Sequence, residues 1–548
     1  MNRFFKRNVW LGGASMLGLL LFVALNYAPL LAGEVPEATR HVVDRAGAEA
    51  AAIAFVRDKF GDDAELKAFG MYAAERDAFG YLYKEGTIDA FIERHGDRLP
   101  LEMYRVEVKT ADGDVHFVDV NPYTGRPTEW QLASDGRPID LAALERVAEE
   151  TIRELGLSGV APTAVWHDES YGEIGYALDG IDASEAQAEL VVRADSFGAT
   201  GATVRWTVPE AYAATVERHD FWASALGTVG LALSGALQLA ALIYALAQLK
   251  RVTFARGVVM AVAFAVIYCA INLNMYPAWK ATVLGIADGG DADYLFSSEE
   301  AGGLIAALLS VLTTANLLTL SMAIGLYFCT VAGDALSRGQ GWRGLWPAPS
   351  ETVYGPHVMA SMWKGYLFAP VMLGLQSVIY IGAENGFRTW YTIDALMASN
   401  NMMVPLLLPA LAWCAAIAEE AVYRLFAIPA LKKLLRFTFP AVLLSSMIWA
   451  LGHVQYPIYP FYTRFVEVTL IGFLFAYIFL KHGFLTAVFA HAIVDTIWMG
   501  ISITANTPSA ASWTAFALYM LAPILIAAAV RWRHRRRPPI VPSGPEPA

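Results

Sequence analysis

The chain of 548 residues contains ten long apolar segments, and this feature restricts the folds open to it. A helix that crosses a bilayer needs about 20 predominantly apolar residues. We therefore expect a polytopic α-helical membrane protein with about ten transmembrane helices. The segments lie at residues 9–32, 221–248, 257–278, 302–331, 364–385, 402–430, 438–455, 464–480, 484–503 and 511–530.

The charges are divided unevenly along the chain. Residues 34–220 contain 37 Asp and Glu against 18 Lys and Arg, a net charge of −19. The whole chain has a net charge of −11, so the remainder carries +8. This division predicts an acidic soluble domain joined to a mildly basic membrane body, and a nucleic-acid partner has no support. The cysteines, Cys269, Cys329 and Cys414, all lie in apolar segments, which excludes a disulfide scaffold or a cysteine zinc cluster.

Residues 34–220 alternate helical and extended patterns, which predicts an α+β domain. A helix followed by a hairpin occurs twice. The predicted helices are Val43–Phe60 and Leu141–Leu155, and the predicted strands are Tyr104–Lys109, Val115–Val120, and segments near Tyr171–Leu178, Ala188–Val192 and Ala202–Val208. The stretch from Val106 to Trp130, with its turn at Asn121–Gly125, resembles a PepSY domain, although that turn usually begins with Asp.

Lys and Arg are concentrated in alternate connections between the apolar segments, and such connections face the cytoplasm. With ten spans, both basic termini and every basic loop lie in the cytoplasm, whereas residues 34–220 lie outside. The first segment is long enough to be a retained anchor rather than a cleaved signal peptide. The charged positions are Arg3, Lys6, Arg7, Lys250, Arg251, Arg256, Arg338, Arg343, Lys432, Lys433, Arg436 and the tail 531–537 on one side, and Asp288, Asp291, Asp293, Glu299 and Glu300 on the other.

Ionisable residues stand inside three of the last apolar segments. Each costs at least ~2.5–3.5 kcal/mol in the bilayer centre and so usually marks function. Residues four apart share a helix face, so Glu420 can reach Arg424, and His491 lies over Asp495. Glu419 points away from Glu420 and has no cation on its own helix. The residues concerned are Glu419, Glu420, Arg424, His453, His491 and Asp495.

Each of these residues also has a purely structural interpretation. Glu420 and Arg424 can form a structural ion pair, His453 can be an ordinary packing residue, and His491 with Asp495 can be a polar latch between helices. Glu419 is harder to explain in this way, because a second adjacent carboxylate adds cost without helping the ion pair. Together, on three segments, the residues favour a site over chance.

Three short motifs in this region resemble those of the CPBP family of intramembrane proteases, which includes the type II CAAX prenyl endopeptidases. Glu419–Arg424 matches the EExxxR motif, Trp449–His453 matches FxxxH with Trp in the aromatic position, and His491–Asp495 matches HxxxN/D in its Asp form. The motifs occur in the family's order, each in an apolar segment. The resemblance covers residues 360–505 and does not extend to the outer domain or the first four spans.

The resemblance implies an intramembrane endopeptidase in which Glu419 activates water, Glu420 and Arg424 support it, and His453 orients the water. His491 and Asp495 would support the oxyanion, although an ionised Asp accepts hydrogen bonds only. The expectation is a metal-free mechanism. The alternative is a zinc ion held by Glu419, His453, His491 and Asp495, but the usual HExxH pair is missing. Within the apolar segments no aspartyl GxGD or serine GxSG motif occurs.

The expected domains are an anchor (1–33), a PepSY-like extracytoplasmic α+β domain (34–220), accessory spans (221–355), a CPBP-like core (356–531) and a basic, Pro-rich tail (532–548). The expected location is the cell (inner) membrane, and the expected substrate is a membrane-embedded or lipid-modified polypeptide. A non-catalytic scaffold or immunity-type protein of the same fold is the alternative function, and a transporter is a third, weaker one.

Overall fold

The computed structural model describes residues 9–31, 41–60, 66–160, 162–286 and 298–536. The basic residues of the N-terminus, the acidic loop at 287–297 and the tail beyond residue 536 lie outside the described residues.

Long apolar helices form the larger part of the molecule. Within the described ranges, eight are long and apolar enough to cross a membrane, or nine if the bent pair α7 and α8 is one span. Helix α13 has only 14 residues. The helices are α1 (Val9–Leu31), α6 (Glu210–Ala247), α7 (Val258–Asn274), α8 (Tyr276–Val283), α9 (Ser298–Gly339), α10 (Tyr354–Phe387), α11 (Leu411–Glu419), α12 (Ile428–Leu435), α13 (Thr438–Leu451), α14 (Phe461–His482), α15 (Phe484–Asn506) and α16 (Ala510–Arg535).

Residues between α1 and α6 form an α+β domain around one antiparallel sheet, called the sheet domain below. Its strand order is β1-β2-β3-β4-β8-β7-β6-β5, so two four-stranded halves meet where β4 pairs with β8. The strands are β1 (Lys67–Ala74), β2 (Glu102–Lys109), β3 (Val115–Val120), β4 (Pro127–Gln131), β5 (Pro162–Asp168), β6 (Glu173–Leu178), β7 (Gln187–Asp195) and β8 (Gly198–Thr207). The helices are α2 (Arg45–Phe60), α3 (Arg76–Glu85), α4 (Ile88–His95) and α5 (Leu141–Glu154).

The predicted turn after β3 is well defined by its hydrogen bonds. The Asn121 side chain accepts from Tyr123 N at 2.8 Å and donates to Gly96 O at 2.8 Å, while Gly125 N donates to Asn121 O. Gly125 has φ +71°, a conformation that favours glycine. An amide suits position 121 because it accepts and donates at once, which an ionised Asp cannot do.

The sheet domain lies directly against the membrane body, and both faces of its first strands are buried. Apolar residues of one face pack under α2, whereas the other face carries the buried Arg105 and Asp119, joined at 2.8 Å. On that face Glu107 also pairs with Lys280 of α8. In these strands, therefore, Arg105, Glu107 and Asp119, which alternate with apolar residues, are buried and do not face solvent.

Three further features attach the sheet domain. Helix α6 runs without a break from the sheet domain into a span, so the predicted boundary at residue 220 falls inside a helix. The Asn401 side chain accepts from Tyr72 N at 2.8 Å and donates to Tyr72 O at 2.7 Å, which satisfies the edge of β1. Arg76 pairs with Asp220 at 2.9 Å.

Helix α1 packs closely along α10. A Cβ at Gly18 would overlap the Pro370 carbonyl, and one at Gly374 would overlap the backbone of Gly18. Towards the C-terminal ends of both helices, Asn26 Nδ2 donates to Ser377 Oγ at 2.8 Å. The first apolar segment is therefore an integral wall of the helical body.

Candidate active site

The first candidate motif lies where an α-helix changes its winding. Helix α11 ends at Glu419, and residues Glu420–Ala427 form a π-helix before α12 begins at Ile428. π-helical turns are rare and often occur at functional sites, because the wider turn redirects side chains. The change of winding falls on the two adjacent carboxylates.

Glu420 is fully buried and lies between Arg424 and His491. Its Oε1 atom is 3.1 Å from Arg424 Nη1 and 2.9 Å from His491 Nδ1, and only the His491 contact is aligned as a hydrogen bond. The predicted Glu420–Arg424 contact is present. The contact with His491 was not predicted, because these residues are 71 positions apart and meet only when α15 packs beside the π-helix.

Glu419 is the more accessible carboxylate of the pair, with 24% of its side chain exposed. Trp449 Nε1 donates to Glu419 Oε2 at 2.5 Å, and His491 Nε2 lies 3.8 Å from the same oxygen. The sequence identified Trp449 only as the aromatic member of the second motif. Its indole N–H is the feature that a Phe at this position would lack.

His491 lies at the centre of the arrangement. Its Nδ1 faces Glu420, while its Nε2 lies 3.4 Å from Asp495 Oδ2, one turn along α15. Both ring nitrogens thus face carboxylate oxygens, an arrangement that suits a doubly protonated ring.

The turn before α15 places His491 at this position. Gly483, which precedes α15, has φ +96° and allows the chain to reverse after α14, so that α15 returns through the centre of the helical body.

His453 lies in the turn that follows α13, where two contacts hold its ring. Its Nδ1 is 3.0 Å from Trp449 O, and its ring stacks on Tyr456 with the ring centroids 6.0 Å apart. If Nδ1 donates to that carbonyl, Nε2 is left as an acceptor. Trp449 therefore contacts both Glu419 and His453.

One cavity of about 750 Å³ joins these side chains. Glu419, His453, His491 and Asp495 all line it, so the structure brings these four candidate site residues together. Glu420 and Arg424 lie behind the wall. The Arg424 guanidinium stacks on Trp449 at 4.0 Å and on Phe475 at 4.8 Å.

The cavity also contains polar residues that no motif indicated. Arg464 bonds Glu467 at 2.8 Å, Gln376 bonds Glu467 at 2.9 Å, and Trp498 bonds Gln376 at 3.1 Å. Arg464 also stacks on Tyr456 at 5.1 Å. Arg464 and Glu467 are three residues apart in an apolar helix, and this spacing was the available signal.

The zinc alternative can be compared with this geometry. Across the described part of the chain, no three His, Cys, Asp or Glu side chains are grouped so that they could hold a metal ion. His491 Nδ1 faces Glu420, and its Nε2 faces Asp495. The zinc alternative stays a prediction.

Comparisons with known proteins agree with the position of the motifs. Residues 401–497 match the family model described as type II CAAX prenyl endopeptidase Rce1-like. The sporulation-killing factor biosynthesis protein SkfC of Bacillus subtilis (strain 168) is 25% identical over 202 residues, which are 35% of this chain and 36% of that protein.

The chain therefore spans about a third of the length of this curated relative. No solved structure matches the chain. The family match lies outside residues 34–220, so the PepSY resemblance stays a prediction. The similarity that the three motifs predicted is confirmed for residues 401–497, which match the Rce1-like CAAX prenyl endopeptidases, a family of proteases.

Proposed function

We propose that the protein is an intramembrane endopeptidase that hydrolyses a peptide bond of a membrane-associated polypeptide. One observation carries this proposal: Glu419, His453, His491 and Asp495 line a single cavity enclosed by helices that are long and apolar enough to cross a bilayer. Ionisable groups are expensive there unless they serve function. The similarity of this segment to a protease family supports the same reaction class.

Glu419 is the proposed general base. Peptide hydrolysis needs an activated water, support for the tetrahedral oxyanion and a proton for the leaving amine. Of the two adjacent glutamates, Glu419 is the one that lines the cavity, and the hydrogen bond from Trp449 fixes its orientation for a water beside it. His453 orients this water from the other side of Trp449.

His491 is the proposed support for the oxyanion, together with Asp495. A positively charged imidazole beside the scissile carbonyl stabilises the developing negative charge. Glu420 acts through His491, because it holds Nδ1 and so sets the direction of Nε2. Arg424 balances the buried charge of Glu420 and does not reach the cavity. The proposed mechanism uses no metal ion.

The arrangement in the membrane follows from the charge distribution. We place both termini in the cytoplasm and the sheet domain outside the cell (inner) membrane, with ten spans that include the short helix α13. Residues 34–220 would then present or select substrate beside the core at 356–531. Deletion of residues 34–220 should change activity or specificity without abolishing it.

The test is cleavage by the full-length protein and by its Glu419→Gln variant. New N-termini of membrane proteins are compared between cells that produce each form, and a cleaved protein is then assayed in proteoliposomes. We expect cleavage by the wild type only, with equal thermal stability of the two forms. Equal cleavage by both would remove Glu419 from the mechanism, and no cleavage by either would favour the non-catalytic scaffold. A zinc chelator should leave cleavage unchanged.

A further inference from the structure

A second cavity of about 660 Å³ lies between the sheet domain and the membrane body, and it is called the vestibule below. It shares part of its wall with the catalytic cavity, so the two spaces are neighbours along a common boundary. The residues that line both are Tyr380, Tyr391, Met397, Tyr456 and Ile458.

This boundary is formed by ordered backbone. Trp390–Tyr391 (β9) and Ile458–Tyr459 (β10) pair as a short antiparallel ribbon, with Tyr391 opposite Ile458. Tyr456 belongs to the same turn as His453 and stacks on its ring. A polypeptide whose scissile bond lies beside His453 therefore passes this ribbon directly when it continues towards the sheet domain.

Contacts between the sheet domain and the membrane body lie at the vestibule. Asn401 bonds the backbone of Tyr72, which lines the vestibule, and the rings of Tyr83 and Tyr391, both in its wall, lie 4.2 Å apart. Lys280 and Glu107 also pair across the junction, outside this lining. Because these contacts join the two bodies, the vestibule is a space within the folded protein.

The chemistry of its lining fits one kind of occupant. Six tyrosines line it, and tyrosine offers an apolar ring together with a hydroxyl that bonds peptide groups. The carboxyl groups of Asp89, Glu102 and Asp394 are also in the wall. Glu102 is engaged by His41 and Tyr123, whereas Asp89 is exposed. Among the described lining residues there is no Lys or Arg.

We propose that the vestibule binds an extended segment of the substrate polypeptide on the sheet-domain side of the scissile bond, and that it selects segments that carry Lys or Arg. The proposal rests on the proposed function for the identity of the occupant as a substrate. Opposite charge accelerates and orients encounter, while the tyrosine rings supply contact area. The sheet domain thus contributes half of a substrate-binding site.

Binding tests this proposal separately from catalysis. The full-length Glu419→Gln protein in nanodiscs is titrated against a short fluorescein-labelled peptide of Lys, Tyr, Gly and Ser, and against the same peptide with Glu in place of Lys. Fluorescence anisotropy gives the dissociation constants. We expect the Lys peptide to bind at least about tenfold more tightly than the Glu peptide.

Two matched double variants distinguish the effect of the vestibule carboxylates on peptide binding from the effect of the overall negative charge of the sheet domain. Asp89→Asn with Asp394→Asn should weaken binding of the Lys peptide by about tenfold. Asp135→Asn with Asp179→Asn removes the same charge from exposed loops outside the vestibule and should change binding by less than about twofold. Equal effects of the two pairs would overturn the proposal.

A steric test does not depend on charge. Ser502 lines the vestibule, whereas Ser170 is exposed in the sheet domain away from it. In a background without the three native cysteines, Ser502→Cys or Ser170→Cys is labelled with a bulky maleimide. Only the label at 502 should block the Lys peptide. Binding that survives it would overturn the proposal, and because Glu419→Gln is inactive throughout, neither result depends on whether the wild type cleaves.

Discussion

Glu420 Oε1 and His491 Nδ1 lie 2.9 Å apart in the interior of the helical body, with the Glu420 side chain fully buried. The same oxygen faces Arg424 at 3.1 Å. One carboxylate therefore orients the histidine of the third motif and neutralises the arginine of the first. The two motifs form one unit although 71 residues separate them.

Glu420→Gln should lower the cleavage rate by about 10²- to 10⁴-fold, because His491 loses the charge that orients its ring. Arg424→Gln is the matched control. Both variants break the buried ion pair and should lose about 3–5 kcal/mol of stability, but only Glu420→Gln releases His491. Rates are measured with a protein whose cleavage depends on Glu419, alongside thermal unfolding. Equal rate losses in the two variants would mean that Glu420 acts only through Arg424.

Asp495→Asn should retain cleavage within about tenfold of the wild type, because the amide oxygen can still accept from His491 Nε2 and the amide adds a donor towards the cavity. Asp495→Leu, which can do neither, should lose at least about 100-fold. Loss of all cleavage in the Asn variant would show that the negative charge itself is required, and it would remove a donor role at this position.

Trp449→Phe should lower cleavage by about tenfold while the protein keeps its fold. The variant retains an aromatic ring beside Arg424 but removes the indole N–H that bonds Glu419 at 2.5 Å. Hydrogen bonds to charged groups contribute about 1.5–3 kcal/mol, so Glu419 becomes less well oriented. Cleavage and melting temperature are compared with those of Trp513→Phe, which changes an exposed tryptophan. An unchanged rate would show that the bond to Trp449 has no part in catalysis.

The parts of the site that depend on local helix geometry could be predicted from the sequence. Glu420 with Arg424, and His491 with Asp495, are pairs four residues apart on one helix, and the apolar length of the segments indicated that they could span a membrane. The contacts Glu420–His491 and Glu419–Trp449 depend on how α11, α13 and α15 pack, and no local pattern contains that information.

The sheet domain shows the same limit. Strands with clear alternation, such as β3, were predicted with their observed bounds. Strand β1 was missed, because its sequence KAFGMYAA mixes small with aromatic residues and does not alternate apolar with polar ones. Strand β3 was recognised although both of its faces are buried, because the buried polar residues His116 and Asp119 stand between its apolar ones. The role of Asn401 as a partner for the edge of β1 joins residues 329 positions apart, and no local pattern contains it.

Gly18→Leu should destabilise the protein and reduce cleavage, because any side chain at this position collides with the backbone of α10. Overpacking of this kind costs about 1–3 kcal/mol. Gly13→Leu is the control on the same helix, since a Cβ there meets no atom within 4 Å. An N-terminal tag should also remain on the mature protein, which is read by immunoblot. Loss of the tag, or equal stability of the two variants, would show that α1 is not part of the working structure.

The sheet domain should lose stability in acid through Glu102. Burial alone would raise the pKa of this carboxyl, but the hydrogen bond and charge of His41, with a further bond from Tyr123, hold the pKa below its ordinary value.

A group with a lowered pKa in the folded state contributes stability above its unfolded pKa, and that contribution disappears as the pH falls through the folded value. Stability should therefore fall as the pH drops below about 4.5. Thermal unfolding of the full-length protein, followed by intrinsic tryptophan fluorescence at each pH, measures this loss. Glu102→Gln should be less stable than the wild type at neutral pH and should show a shallower decline in acid, whereas Glu185→Gln, an exposed change in the same domain, should follow the wild type. A decline of equal slope in the Glu102 variant would assign the acid sensitivity to other carboxyl groups.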